Sequence, residues 1–313
     1  MQRPKNEKLT QAMEGMGFSV EQVKNMVKVT GNLQATRKFI EASMGAGLGS
    51  AQESPRIADH MTGSPDAEFY GGDYSHLTNV LAGKLDMSPL LKKQEDFRRS
   101  GISQKLQTVI AQVKPKRSRV MSEYDGDWNY DRRWDLEAFE STTKRLGGAR
   151  TIDILCHFAV NCTVTADQLR QYGAMAWAIS DLIEKAGITT RITLKYRVDG
   201  INAYSYDGKS EPTDCDIQIE VKRPGEYIAA PSLAATMQTI FFRRPIFGMI
   251  VACANLTKQN ACYGLGHARQ ESMRIRFKDG LLELSPETVH ADPQEVEKCV
   301  LEAIRASIPG VSR

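Results

Sequence analysis

The sequence has no cysteine pair at Cys-x-x-Cys spacing and no Gly-x-x-x-x-Gly-Lys run, and its net charge is only +3. No stretch reaches the roughly 18 apolar residues that a membrane helix needs. Each absence excludes a class. Without Cys-x-x-Cys there is no zinc-ribbon or thioredoxin-type redox signature. Without the phosphate-cradling glycine loop and its lysine there is no sign of a P-loop ATPase. A near-neutral chain does not attract nucleic acid as a whole, so any such role rests on local clusters. The segment MQRPKNEKLT has no apolar signal region, and a cytoplasmic setting is expected.

Six cysteines are present: Cys156, Cys162, Cys215, Cys253, Cys262 and Cys299. Four lie inside apolar runs, which reads as free, buried thiols in a reducing compartment. With 313 residues, 41% of them hydrophobic, the chain can bury a sizeable core in one large domain or two smaller ones.

Helical spacing of Leu9, Ala12, Met13 and Met16 predicts a first helix, which Gly17 breaks. Ser19 with Gln22 reads as a capping box for a second helix carrying Val20, Val23 and Val27. Gly31 ends it, and Asn32 caps a third through Phe39 and Ile40. A three-helix bundle over residues 1–45 is therefore expected. Residues 46–65, rich in Gly, Ser, Ala and Pro, read as a flexible linker. The arrangement Leu9…Met16-Gly17-Phe18…Thr30-Gly31-Asn32…Phe39-Ile40 resembles the ubiquitin-associated (UBA) fold. The resemblance implies an apolar docking surface for another protein at Met16, Gly17, Phe18, Phe39 and Ile40.

Residues 66–145 form a charged middle segment with one short helix predicted over Tyr74–Leu81. Between Lys92 and Arg119 lie nine basic residues and two acidic ones, with an apolar helical stripe at Leu106, Val109, Ile110 and Val113. Residues 120–140 then hold seven acids and five aromatics: Tyr124, Trp128, Tyr130, Trp134 and Phe139. Carboxylates beside the aromatics repel phosphate, so the expected reading is an aromatic lid packed on the next domain. The alternative is a single-stranded nucleic-acid site over 92–134, with phosphate contacts from Arg98, Arg99, Lys114, Lys116, Arg117 and Arg119. Asp125, Asp127, Asp131 and Asp135 do not make a calcium loop, because Gly126 comes too early for an EF-hand.

From residue 146 to 313 strands and helices alternate. TIDILCHFAV (151–160) is apolar on both faces, as a central parallel strand is. Residues 165–187 read as a helix. Residues 189–200 and 214–224 alternate as strands, 232–244 as a helix ended by Pro245, and FGMIVACANL (247–256) as a second fully apolar strand. Residues 273–284 read as a hairpin across Lys278-Asp279-Gly280, and 292–307 as a closing helix. This order predicts an α/β three-layer sandwich with a mainly parallel sheet. A ligand site would then lie beyond the strand ends, at Asn161, Thr163 and Asn255.

The order resembles a von Willebrand factor A domain. That family carries Asp-x-Ser-x-Ser after its first strand, whereas this chain has Phe158-Ala159-Val160-Asn161-Cys162-Thr163. No metal and no cofactor are expected. Blocks such as FYGGDYSHLTNVLAGKLD, RRWDLEAFES, IEVKRPGEY and IFFRRPIFG are also similar to a family of uncharacterised bacteriophage proteins, over most of 66–306.

No catalytic residues emerge. Cys156 and His157 are neighbours on a strand and face opposite ways, so they form no nucleophile–base pair. Cys262 and His267 share a polar loop. The expected function is a phage-type accessory protein that acts as a protein–protein adaptor in the host cytoplasm, not an enzyme. Nucleic acid is the alternative partner.

Overall fold

The computed structural model describes residues 6–44, 74–82, 84, 92, 95, 99, 151–158, 164–185, 187–201, 213–226, 239–257 and 274–307. It describes 116–122, 127–128, 139–145 and 267–268 by backbone position. In chain order the elements begin with α1 (Glu7–Met16), β1 (Ser19–Val23), β2 (Met26–Asn32), α2 (Leu33–Met44) and α3 (Tyr74–Leu81). Then come β3 (Lys116–Ser122), β4 (Asp127–Trp128), β5 (Phe139–Arg145), β6 (Ile152–His157), α4 (Ala166–Lys185), β7 (Thr190–Ile201) and β8 (Thr213–Lys222). The last are α5 (Thr239–Arg243), α6 (Pro245–Leu256), β9 (His267–Ala268), β10 (Ile275–Lys278), β11 (Leu281–Leu284), a 3-10 turn (Pro286–His290) and α7 (Pro293–Ser307).

The main sheet runs β1-β2-β8-β7-β6-β11-β10, with β9 added beside β7. Pairs β2·β8, β6·β7 and β6·β11 are parallel. Pairs β1·β2, β7·β8, β7·β9 and β10·β11 are antiparallel. The mainly parallel sheet expected from the sequence is thus corrected to a mixed one. One cause is residues 247–256. They are not a strand but most of α6, buried on nearly every side. An all-apolar run does not tell a buried helix from a central strand. Pro245, read as a terminator, occupies the first turn of α6, where its missing N–H costs nothing.

The reading of residues 1–45 is corrected as well: the described residues 6–44 form no three-helix bundle. Residues 19–32 make a β-hairpin turned at Lys24-Asn25, with Lys24 at φ 57°. Val27 and Val29 alternate with Lys28 and Thr30, the period of a half-buried strand, and β-branched valines suit it. The spacing of Val20, Val23 and Val27 imitates a helix. β2 pairs along its whole length with β8, from Met26↔Asp214 to Asn32↔Glu220. The backbone N–H of Asn6 donates to Leu256 O at 3.0 Å. Residues 6–44 are therefore built into the same sheet as β8. The expected linker at 46–65 and most of 66–145 lie outside the described residues.

One sheet face is apolar. Val29, Ile217, Tyr196, Cys156 and Leu284 stand on neighbouring strands there, and all are buried. Tyr172 of α4 reaches that face and donates to Leu284 O at 2.7 Å. Cys253 of α6 hydrogen-bonds Cys215 of β8. That bond, with burial, raises the Cys215 thiol well above its ordinary range. Phe18 and Phe39 meet edge to face at 6.3 Å within the same core. No helix among the described residues is long and apolar enough to cross a membrane.

Candidate functional site

The opposite face of the main sheet is charged. Strand alternation and register bring Asp153, Leu155 and His157 of β6 beside Arg191, Thr193 and Lys195 of β7. Across β8 stand Asp216, Gln218 and Glu220. The charges pair off. Arg191 lies 3.2 Å from Asp153 and 3.3 Å from Glu220, and Glu220 also receives Arg223 at 2.9 Å. Lys195 stands 3.7 Å from Asp216, and Arg197 3.1 Å from Asp199. The side chains of Arg191 and Asp153 keep 43% and 44% of their surface in water, those of His157 and Glu283 only 7% and 12%. The face is thus open near the start of β6 and closed near its end.

At the closed end His157 Nε2 sits 3.5 Å from Glu283 Oε1. Glu283 Oε2 accepts from Arg276 Nε at 2.6 Å and also from Arg276 Nη2. Arg276 thus holds the carboxylate beside the imidazole. Cys156 and His157 do face opposite ways. Burial pushes the Cys156 thiol up to about 12, partly offset by its hydrogen bond with Tyr172. That thiol is a core group, not a nucleophile.

A second, smaller sheet has the order β3-β5-β4, all antiparallel. Its register sets Lys116 opposite Arg145 and Arg117 opposite Lys144. At the other end Asp127 stands opposite Glu140, and Trp128 opposite Phe139. Like charges directly opposite each other destabilise an antiparallel pair.

Three of the five residues expected to dock a partner are buried, while Gly17 is exposed. Phe18, Phe39 and Ile40 are 4%, 0% and 1% exposed and belong to the core; Met16 is half-buried. Gly17 ends α1 at φ 102°, donating to Glu14 O and Met13 O. The expectation is corrected for Phe18, Phe39 and Ile40: the hairpin and α2 fold these three side chains inward. Of the strand-end residues, Asn161 and Thr163 lie outside the described residues. Asn255 is in α6, not at a strand end, and its carbonyl accepts from Asn6 Nδ2 at 3.3 Å. Of the basic residues, Arg98 and Lys114 lie outside the described residues, as does Cys262. Arg99 is exposed and pairs with Glu95 at 3.1 Å. Lys116, Arg117 and Arg119 all fall on β3.

Sequence reasoning missed Lys144 and Arg145, which the register places beside that cluster. The signal was the FESTTKR run, rich in Thr and Ser and free of helix-forming periodicity. It also missed the His157–Glu283 couple, whose members are far apart in the chain and meet only through the β6·β11 pairing.

A family model described as a domain of unknown function (DUF7192) matches residues 138–305. The matched span runs from β5 into α7, while α1, β1, β2 and α2 precede it. No curated protein and no solved structure matches.

Proposed function

We propose that this chain, which belongs to the DUF7192 family, is a non-catalytic accessory protein that binds the phosphate backbone of nucleic acid through the basic end of β3 and β5. The observation that carries this reading is the pair of like-charge juxtapositions, Lys116↔Arg145 and Arg117↔Lys144. Two such pairs on adjacent rungs weaken an isolated sheet by up to about 1 kcal/mol each. A bound polyanion turns the same repulsion into attraction. Arg119, two rungs beyond Arg117 on β3 and so on the same face of the sheet as Arg117, extends the cluster. The main-sheet face suits this role less, because its cations are paired with carboxylates. The adaptor reading loses Phe18, Phe39 and Ile40, which are in the core.

The test is titration of the full chain with fluorescein-labelled oligonucleotides, single-stranded and duplex, over a range of salt. Log affinity should fall with log salt at about 0.7 per single-strand phosphate neutralised, or about 0.9 for duplex. Lys116→Glu and Arg117→Glu each replace a like-charge pair by an ion pair. The double variant should keep or raise its melting temperature while binding falls more than tenfold. Binding unchanged in that variant, or no binding at low salt, would overturn the proposal.

A further inference from the structure

From the register of the small sheet we infer that the site is single-strand selective, with bases stacking on Trp128 and Phe139; this rests on the phosphate-binding reading above. In sequence the aromatics lie among acids, which argues against phosphate. The register sorts those that lie within the strands. Residues directly opposite in an antiparallel pair share a face, and neighbours along a strand alternate. Trp128, Phe139, Lys116 and Arg145 therefore fall on one face of β3-β5-β4. Asp127 and Glu140 fall on the other. The rungs between the aromatic end and the cationic end, Val120↔Ser141 and Ser118↔Thr143, carry no charge.

The face thus offers two aromatic residues, then uncharged rungs, then two cations, with no carboxylate among the paired positions. At about 3.3–3.4 Å per residue, Phe139 to Arg145 spans roughly 20 Å. That length suits a short single strand, at the lower end of the 4–16 nucleotides typical of one such platform. Stacking needs unpaired bases, since those of a duplex have no free π-face. Duplex would meet only the cations. At the paired positions, the segregation of Asp127 and Glu140 from Trp128 and Phe139 separates this face from a mere charged patch.

The experiment compares a labelled single-stranded oligonucleotide with its duplex on the full chain, in low and moderate salt. Single strand should bind at least tenfold tighter. Trp128→Leu and Phe139→Leu should each weaken it roughly tenfold, and Trp128→Phe should restore most of the loss. Asp127→Asn with Glu140→Gln, on the other face, should not weaken it. Photocrosslinking of a 4-thiothymidine oligonucleotide to the unmutated chain, mapped by mass spectrometry, reads the contact without any variant. Crosslinks at Trp128 or Phe139 support the inference. Equal single-strand and duplex affinity, with crosslinks elsewhere and with the Lys116→Glu effect intact, overturns the stacking face and leaves phosphate binding standing. Binding to neither probe overturns both.

Discussion

Lys222 of β8 and Glu184 of α4 meet at 2.5 Å, with the lysine side chain 1% exposed. A register shift between Ile192 and Thr193 brings Lys222 opposite Ile192, and so onto the buried face. The same Glu184 oxygen accepts from the Thr190 N–H at 3.1 Å and the Thr190 hydroxyl at 2.9 Å. One carboxylate therefore joins the end of α4, the start of β7 and the end of β8.

Glu184→Ala would leave the ammonium of Lys222 buried without its counter-ion. Breaking a buried pair costs about 3–5 kcal/mol. The low end, about 3 kcal/mol, is expected because Glu184 is 30% exposed. Adding Lys222→Met should recover most of the loss. Urea midpoints of the single and double variants check this; a single variant as stable as the parent would show the pair to be idle.

Gly31 carries no side chain because the ring of Phe18 occupies the space a Cβ would need. Gly31→Ala should cost about 1–3 kcal/mol by overpacking. Phe18→Ala should cost about 3–5 kcal/mol through the cavity it leaves. The double change should cost less than the sum, since the smaller residue at 18 makes room at 31. Denaturant unfolding of the three variants decides it, and strict additivity would mean the two positions do not touch.

Removal of residues 1–44 should lower the melting temperature of the remainder and promote association. It uncovers the edge of β8, a row of backbone donors and acceptors ready to pair with another chain. Thermal melting with light scattering measures both effects. A truncated chain that stays monodisperse and melts unchanged would restore the view of this segment as a detachable module.

Stability should decline in alkali. The ordinary thiol value is 9.0, and burial lifts Cys156 to about 12 in the folded chain. Below pH 9 both states hold the proton and nothing is lost. Between about 9 and 12 only the unfolded state gives it up, so each pH unit favours unfolding by about 1.4 kcal/mol per such group. Burial also raises Tyr172 well above its ordinary range, in the same direction. Unfolding free energies at pH 7, 9 and 10 test the sign; a flat profile would contradict it. Native-state alkylation should likewise spare Cys156 and Cys215.

Much of the C-terminal half was legible because its patterns are long and single-valued. Ile192, Leu194, Tyr196 and Val198 alternate with Arg191, Thr193, Lys195 and Arg197, a pattern a helix cannot share. The Asp279-Gly280 turn, with both residues at positive φ, fixes the hairpin of β10 and β11. Helices over 74–81, 166–185 and 293–307 stand where spacing and caps place them. The failures share one cause: local periodicity was compatible with two structures, and a distant strand chose between them. Val20 to Val29 fits helix or hairpin until β8 offers an edge. Residues 245–256 fit strand or helix until the sheet fills without them. Of the candidate site, the basic residues on β3 and the aromatics were visible in the sequence. The separation of Trp128 and Phe139 from Asp127 and Glu140 was not, because it exists only once β4 and β5 are in register.

The pairing of β2 with β8 also sets a timetable. Asn25 and its hydrogen-bond partner Asp214 are 189 residues apart in the chain. During synthesis at about 5–20 residues per second, the first hairpin leaves the ribosome roughly 10–40 s before its partner strand exists. Through that interval β2 has only β1 to pair with, and Phe18, Phe39 and Ile40 lack the core that finally covers them. The mature fold covers the edge of β2 with β8, but the nascent chain must carry that edge uncovered, and in a crowded cell its fate depends on what meets it first.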